Sequence, residues 1–181
     1  MFIQVPYEDA LPGDVGLLSG IGLISDAIRA AEQVGGELTD LAFQPSHAFI
    51  FAQDAILEAV FPRVALRAAN EYATLQTRVF RASDSMPEIP VDVALGRIET
   101  RWLGRPYDLI GVIGVKRSMS LVELEEALGD QRLSNVIASG QMIWCSELAA
   151  DFIDTYLAPV PPLVGSVTSP AKLYNWLRAA K

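Results

Sequence analysis

A chain of 181 residues, of which 51% are hydrophobic and 20% charged, has the composition of a folded domain and not of a disordered segment. Its formal net charge of -8 argues against general affinity for nucleic acid, and its single cysteine excludes an internal disulfide. No apolar run reaches the ~20 residues that span a bilayer, and the first residues lack the basic and apolar regions of a signal peptide. We therefore expect no membrane span, and a location in the cytoplasm or release by lysis, in a virion or through a secretion system.

The first half of the chain predicts short strands and one helix. Ser25 and Asp26 are typical of a helix N-cap, and Gly35 and Gly36 are typical of a helix end. The predicted elements are a strand at 15–18, a helix at 27–34, strands at 47–52 and 55–61, a short strand around 64–66, and a strand at 77–82 with one face in water.

The second half of the chain predicts mainly helices. Ser120 with Glu123 forms a capping box, and Pro170 stands where proline is common, at the first position of a helix. The predicted helices are 91–103, 121–128, 143–157 and 171–179, with a polar connection at 130–141. No repeat or linker divides the chain, so we expect one α+β domain over residues 1–181.

The only cysteine and the only histidine both lie where reactive residues are found. Cys145 is at the start of a predicted helix, where unpaired backbone N–H groups and the helix dipole stabilise a thiolate. His47 begins a predicted buried strand, which places its ring near the end of a sheet. The alternative interpretations are a cysteine that fills the core as a small apolar residue and a histidine with a structural role.

An imidazole that acts as a base needs a third polar group to orient it, and Glu58 is the candidate. Glu58 interrupts the apolar run of the strand predicted to pair with the His47 strand, and a buried carboxylate is costly without a partner. The alternative is an edge-strand residue that points into solvent. One histidine and one cysteine offer too few soft ligands for a metal site, and the glycines at 20 and 22 lack the third glycine of a nucleotide-binding loop. We expect no cofactor.

Five short motifs carry a resemblance to a known family: Pro-Gly-Asp before a strand, Ser-His-Ala-Phe-Ile-Phe, Ile-Leu-Glu-Ala, Gly-Arg-Pro-Tyr-Asp and Trp-Cys-Ser-Glu-Leu. In this order, with histidine before cysteine, the chain resembles the permuted NlpC/P60 superfamily and, within it, the YiiX/YebB-like papain-fold cysteine hydrolases. The resemblance covers residues 11–156. The segment between Pro-Tyr and Cys145 is longer than in the simplest pattern, so we expect larger loops around the site.

This resemblance implies a fold and a set of site residues. The fold is an antiparallel sheet packed by helices, with the reactive cysteine at a helix N-terminus. Cys145 is then the nucleophile, His47 the base and Glu58 the residue that orients the imidazole. Tyr107 of the Pro-Tyr element is expected to line the pocket and bond the substrate, and Trp144 is the second candidate for substrate binding.

The same resemblance implies hydrolysis of an amide through an acyl-thioester. The expected substrates are a small peptide, a γ-glutamyl or isopeptide amide, a peptidoglycan fragment such as a stem peptide, or an acyl compound. Two alternatives stay open: a lipid ester hydrolase or acyltransferase that uses the same site, and a catalytically silent papain-like module with a binding or structural role. The sequence leaves the oligomeric state open.

Overall fold

The computed structural model describes residues 1–20, 23–34, 36–83, 87–108, 143–157 and 169–180 of the chain. The strands are β1 Phe2–Val5, β2 Val15–Leu18, β3 His47–Phe51, β4 Ala55–Val60, β5 Arg63–Ala68 and β6 Thr77–Ala82. The helices are α1 Leu23–Val34, α2 Val91–Trp102, α3 Cys145–Tyr156 and α4 Pro170–Ala179, and a short 3-10 helix covers Tyr7–Asp9.

The six strands form one antiparallel sheet in the order β1-β6-β2-β3-β4-β5. The expected α+β class with an antiparallel sheet is therefore confirmed. Strand β3 lies in the interior of the sheet, with His47 opposite Leu18 of β2 and Ile50 opposite Leu57 of β4. This order brings the start of β3 and the end of β4 to the same end of the sheet.

Apolar side chains cover both faces of the sheet. On one face, α2, α3 and α4 pack against the strands, and this larger cluster includes Leu57 of β4 and Phe152 of α3. On the other face, Phe49 and Phe51 belong to a smaller cluster with Tyr72 packed against it. Because side chains alternate along a strand, Phe49 and Phe51 are on the face of β3 to which its first residue also belongs.

Most of the predicted elements are confirmed to within two residues, but two predictions were wrong. Helix α1 begins at Leu23, so Ser25 and Asp26 lie inside its first turn and do not cap it; Asp26 instead pairs with Arg29, three residues on. Strand β6 has no face in water, because its consecutive residues Val79 and Phe80 point to opposite faces of the sheet and both are buried. Phe80 belongs to the larger cluster and Val79 to the smaller one.

Some predictions fall on parts of the chain that the structure does not describe. The predicted helix at 121–128 and the connection at 130–141 lie outside the described residues. Of the helices within the described ranges, none combines the length and the apolar character that crossing a bilayer requires.

Candidate active site

His47 is held where three strands meet. It is the first residue of β3, lies beside β2 in register, and has a side chain that is 13% exposed. The ring centroids of Phe49 and Tyr72 lie 6.3 and 5.8 Å from that of His47. His47 Nε2 lies 2.6 Å from Glu58 Oε2. The imidazole is therefore fixed both by aromatic packing and by a bond to a carboxylate.

Glu58 is a fully buried carboxylate on β4. Its Oε2 also accepts a hydrogen bond from the Tyr72 hydroxyl at 2.7 Å. Arg67 Nε lies 2.8 Å from Oε1, as an ion pair without the alignment of a hydrogen bond. Burial alone raises the pKa of Glu58, but the bond to His47 and its charge, followed by Tyr72 and Arg67, lower that pKa below its ordinary value. The group is held as a carboxylate.

Cys145 is the first residue of α3 and is 2% exposed. The backbone N–H of the preceding residue, Trp144, donates to Glu147 Oε2 at 3.3 Å, which fixes the first turn of the helix. Helix α3 packs against β3 and β4, and this places the thiol close enough to His47 and Tyr107 to raise the pKa of both. The first N–H groups of a helix have no acceptor within it, so the positive end of the α3 dipole lies at the sulfur.

The surroundings of His47 favour its charged form. Burial alone lowers the pKa of His47, but the charge of Cys145 and its hydrogen bond, followed by those of Glu58, raise that pKa to about 10. Because Nε2 is bonded to Glu58, Nδ1 is the nitrogen left to exchange a proton with the thiol. The imidazolium therefore lies between a sulfur and a carboxylate. It can exchange a proton through Nδ1 while Glu58 holds the ring through Nε2.

The backbone of Tyr107 is held beside the segment that leads into Cys145. Its N–H donates to the Pro62 carbonyl at 3.0 Å, and it forms a parallel bridge with Ile143, two residues before the cysteine. Burial, then the charges of Cys145 and Asp108 and the bond to the sulfur, raise the pKa of Tyr107 well above its ordinary value. The Tyr107 hydroxyl therefore stays protonated and remains a hydrogen-bond donor beside the sulfur.

The structure brings four of the five predicted site residues into one group, and the fifth, Trp144, directly precedes Cys145 in the chain. Cys145, His47, Glu58 and Tyr107 form one connected group, and His47 and Tyr107 line a cavity of about 430 Å³. Neither Trp144 nor Cys145 is among the described residues that line this cavity. The indole Nε1 of Trp144 is buried without a hydrogen-bond partner in the structure as described. A contact between Trp144 and substrate stays a prediction.

Two residues that hold Glu58 were not predicted, namely Arg67 and Tyr72. A signal for Arg67 exists, because Val60 lies opposite Arg63 across a two-residue turn, which sets the register of the hairpin. In that register Glu58 lies opposite Ala65, so Arg67 is its diagonal neighbour on the same face. Tyr72 lies on the link between β5 and β6, where no periodic pattern shows which side chain turns inward.

The fold and the site define an α+β protein in which a thiol, an imidazole and a carboxylate are connected in series at the end of an antiparallel sheet. Comparison of the chain with family models, with curated proteins and with solved structures finds no match. Within the described ranges there is no group of three or more His, Cys, Asp or Glu residues that could hold a metal ion.

Proposed function

We propose that this protein is a cysteine hydrolase that cleaves an amide with a Cys145–His47–Glu58 triad. The observation that supports this most is the position of the only imidazole in the chain, 2.6 Å from a buried carboxylate and beside the only thiol. A cysteine that merely fills the core needs neither partner. A carboxylate buried beside a titratable ring is typical of sites where protons move.

The proposed reaction starts from a thiolate–imidazolium pair, in which the proton of the Cys145 thiol already lies on His47 Nδ1. The thiolate attacks the amide carbonyl carbon, and the oxyanion is held by the Cys145 backbone N–H and the Tyr107 hydroxyl. The C–N bond then breaks, the imidazolium gives its proton to the leaving amine, and an acyl-thioester remains on Cys145. Water attacks the thioester with His47 as base, which releases the acid and restores the thiol. Glu58 holds the ring and its charged form throughout.

Within the α+β class, we propose a permuted papain-like arrangement of the NlpC/P60 type, similar to the YiiX/YebB-like group. Its support is the order of the site along the chain: His47 on an interior strand comes first, then the Pro-Tyr element, then Cys145 at a helix start. Substrates of this group would be peptide, γ-glutamyl or isopeptide amides, including peptidoglycan stem peptides. A lipid ester or an acyl acceptor other than water would use the same acyl-thioester.

The rate of alkylation of Cys145 by iodoacetamide, followed against pH by intact mass, tests this proposal. With a single cysteine, one mass increment reports on this residue alone. We expect rapid alkylation near pH 6, because the imidazolium stabilises the thiolate, and a rate lower by about 100-fold in His47→Ala. Cys145→Ser shows the background, and circular dichroism establishes that each variant is folded.

The opposite result is equally clear. Alkylation that becomes measurable only above about pH 8 and is unchanged in folded His47→Ala would contradict the triad. The protein would then be a catalytically silent module. An acyl-enzyme trapped from a p-nitrophenyl thioester in the wild type, and absent in Cys145→Ser, would support the covalent step directly.

A further inference from the structure

The cavity beside the triad has the size of a ligand site. Its volume of about 430 Å³ falls within the ~300–1,000 Å³ that is common for small-molecule pockets. Its walls come from the end of β2, the first turns of α1, the end of β4 and the link before β6, with Leu18, Ile28 and Val60 among them. His47 and Tyr107 line it as well, so the cavity adjoins the reacting groups.

The lining of this cavity is mainly apolar. Among the described residues that line it there is no Asp, Glu, Lys or Arg. Two of the polar lining groups are already bonded within the protein: Ser46 Oγ accepts from the Gly20 N–H at 3.0 Å, and the Tyr72 hydroxyl donates to Glu58. Of the described lining residues only His47 carries a charge, and it is already paired with Glu58 at 2.6 Å, so a carboxylate or ammonium group placed here would lose its hydration without gaining an unpaired charged partner.

Two large apolar side chains of the lining remain in contact with water. Phe61 is 36% exposed and Leu75 is 40% exposed. An aliphatic group bound between them would remove apolar surface from water on both sides of the contact, which is favourable. The volume of the cavity, its mainly apolar lining and the partly exposed rim formed by Phe61 and Leu75 therefore all favour an aliphatic occupant.

We infer that this cavity binds an aliphatic group of the substrate, next to the bond that Cys145 attacks. The inference rests on the proposed function, because it takes the cavity as the substrate side of the triad. Among amides, it selects those that carry an uncharged alkyl or acyl chain over those that carry a carboxylate or an ammonium group at this position.

A series of N-alkyl iodoacetamides measures this selectivity on Cys145 itself. The probes are the N-methyl, N-propyl and N-hexyl compounds, with N-(6-hydroxyhexyl) iodoacetamide as a polar probe that adds no charge. We expect the second-order rate constant to rise with chain length, by up to about fourfold for each buried methylene. The hydroxyhexyl probe should react about tenfold more slowly than the hexyl probe, because its hydroxyl would leave water for a mainly apolar lining.

Two matched variants link the effect to the cavity. Leu75→Gln makes the rim polar, whereas Leu66→Gln changes a side chain of similar exposure, 43%, on β5 outside this cavity. The ratio of the hexyl to the methyl rate constant should fall severalfold in the first variant and stay constant in the second. A ratio that changes equally in both, or in neither, overturns the inference.

The outcomes for the cavity and for the triad are distinguishable. Rapid reaction with every probe, without dependence on chain length, overturns the aliphatic site and leaves the triad standing. Slow reaction with every probe near pH 6, unchanged in His47→Ala, overturns the proposed function and the aliphatic site with it.

Discussion

Glu58 carries its charge at a position where an apolar residue would pack at lower cost. The carboxylate is fully buried, yet His47, Tyr72 and Arg67 all lie within 2.8 Å of its oxygens. Well-packed apolar residues in place of a buried ion pair are often neutral or stabilising, so stability alone is a weak reason to keep this group. A role in orienting the imidazole of His47 and stabilising its charged form is a sufficient reason to keep it.

Replacing Glu58 by glutamine should expose this role in the pH dependence of stability. The pKa of His47 is raised from 6.5 to about 10, so its contribution is fully present below pH 6.5 and lost as pH rises through 10. The pKa of Glu58 is lowered, so its contribution is present above 4.5 and lost as pH falls. Between pH 4.5 and 6.5, where both contributions are fully present, we expect Glu58→Gln to lower the free energy of unfolding by about 3 kcal/mol. Outside this range the loss should be smaller. Urea unfolding measures it.

Glu71→Gln is the matched control for this measurement. It removes another carboxylate that pairs with Arg67, at 3.2 Å, but on a side chain that is 38% exposed. Exposed pairs contribute about 0–1 kcal/mol, so little change is expected at any of these pH values. Equal losses of stability in the two variants would contradict the prediction that the buried Glu58 contributes more to stability than an exposed carboxylate.

Helix α3 contains an electrostatic conflict in its first turn. A carboxylate three residues after the N-cap normally gains from the helix dipole and from the backbone N–H that it accepts. Glu147 does accept from Trp144, but burial raises its pKa, the bond to Trp144 lowers it, and the charge of Asp108 raises it again, to about 7. The first turn that presents Cys145 therefore holds an acid that is destabilised when ionised.

Glu147→Gln should relieve this conflict, since glutamine keeps the acceptor and removes the charge. A raised pKa means that the contribution of Glu147 is fully present below 4.5 and lost as pH rises through 7. The variant should therefore gain stability over the wild type as pH rises from 5 to 8. After allowance for water around this half-buried group, the gain is on the order of 1 kcal/mol. Urea unfolding at both pH values measures it, and no gain at pH 8 would contradict it.

Elements whose stability is local were predictable, and those that depend on pairing were not. Helices α2, α3 and α4 follow from apolar stripes with clear ends, and β3 and β4 from apolar runs beside turns. Strand β1 was missed, because Ile3 and Gln4 are exposed and the strand is held by pairing with β6 and by a bond from the Phe2 N–H to the Ala180 carbonyl at 3.0 Å. Such contacts join residues that are far apart in the chain and leave no local pattern.

The candidate site divides in the same way. Cys145 and His47 could be found because each is unique and stands at an element start, and Glu58 because a charge in an apolar strand needs a partner. Arg67 and Tyr72 hold that charge from β5 and from the link that follows it, and only the sheet register and the fold of the link bring them there.

At the scale of the whole molecule, the strand that carries His47 is supported from both faces of the sheet. Ala48 and Ile50 belong to the cluster under the helices, while Phe49 belongs to the smaller cluster on the other face. Phe49 lies opposite Gly16 of β2, and a Cβ added at Gly16 would come within 2.2 Å of the Phe49 ring. The ring occupies the space that the missing side chain leaves, so these two positions are coupled.

A double-mutant cycle on this pair tests whether the smaller cluster helps to hold the fold. Gly16→Ala should lower the free energy of unfolding by about 1–3 kcal/mol through overpacking, and Phe49→Leu should lower it separately through lost contacts. The double variant should lose less than the sum, because the smaller leucine makes room for the new methyl group. Gly96→Ala in α2, where nothing lies within 4 Å of an added Cβ, should instead stabilise by about 0.5–1 kcal/mol. Strictly additive losses at positions 16 and 49 would contradict the coupling.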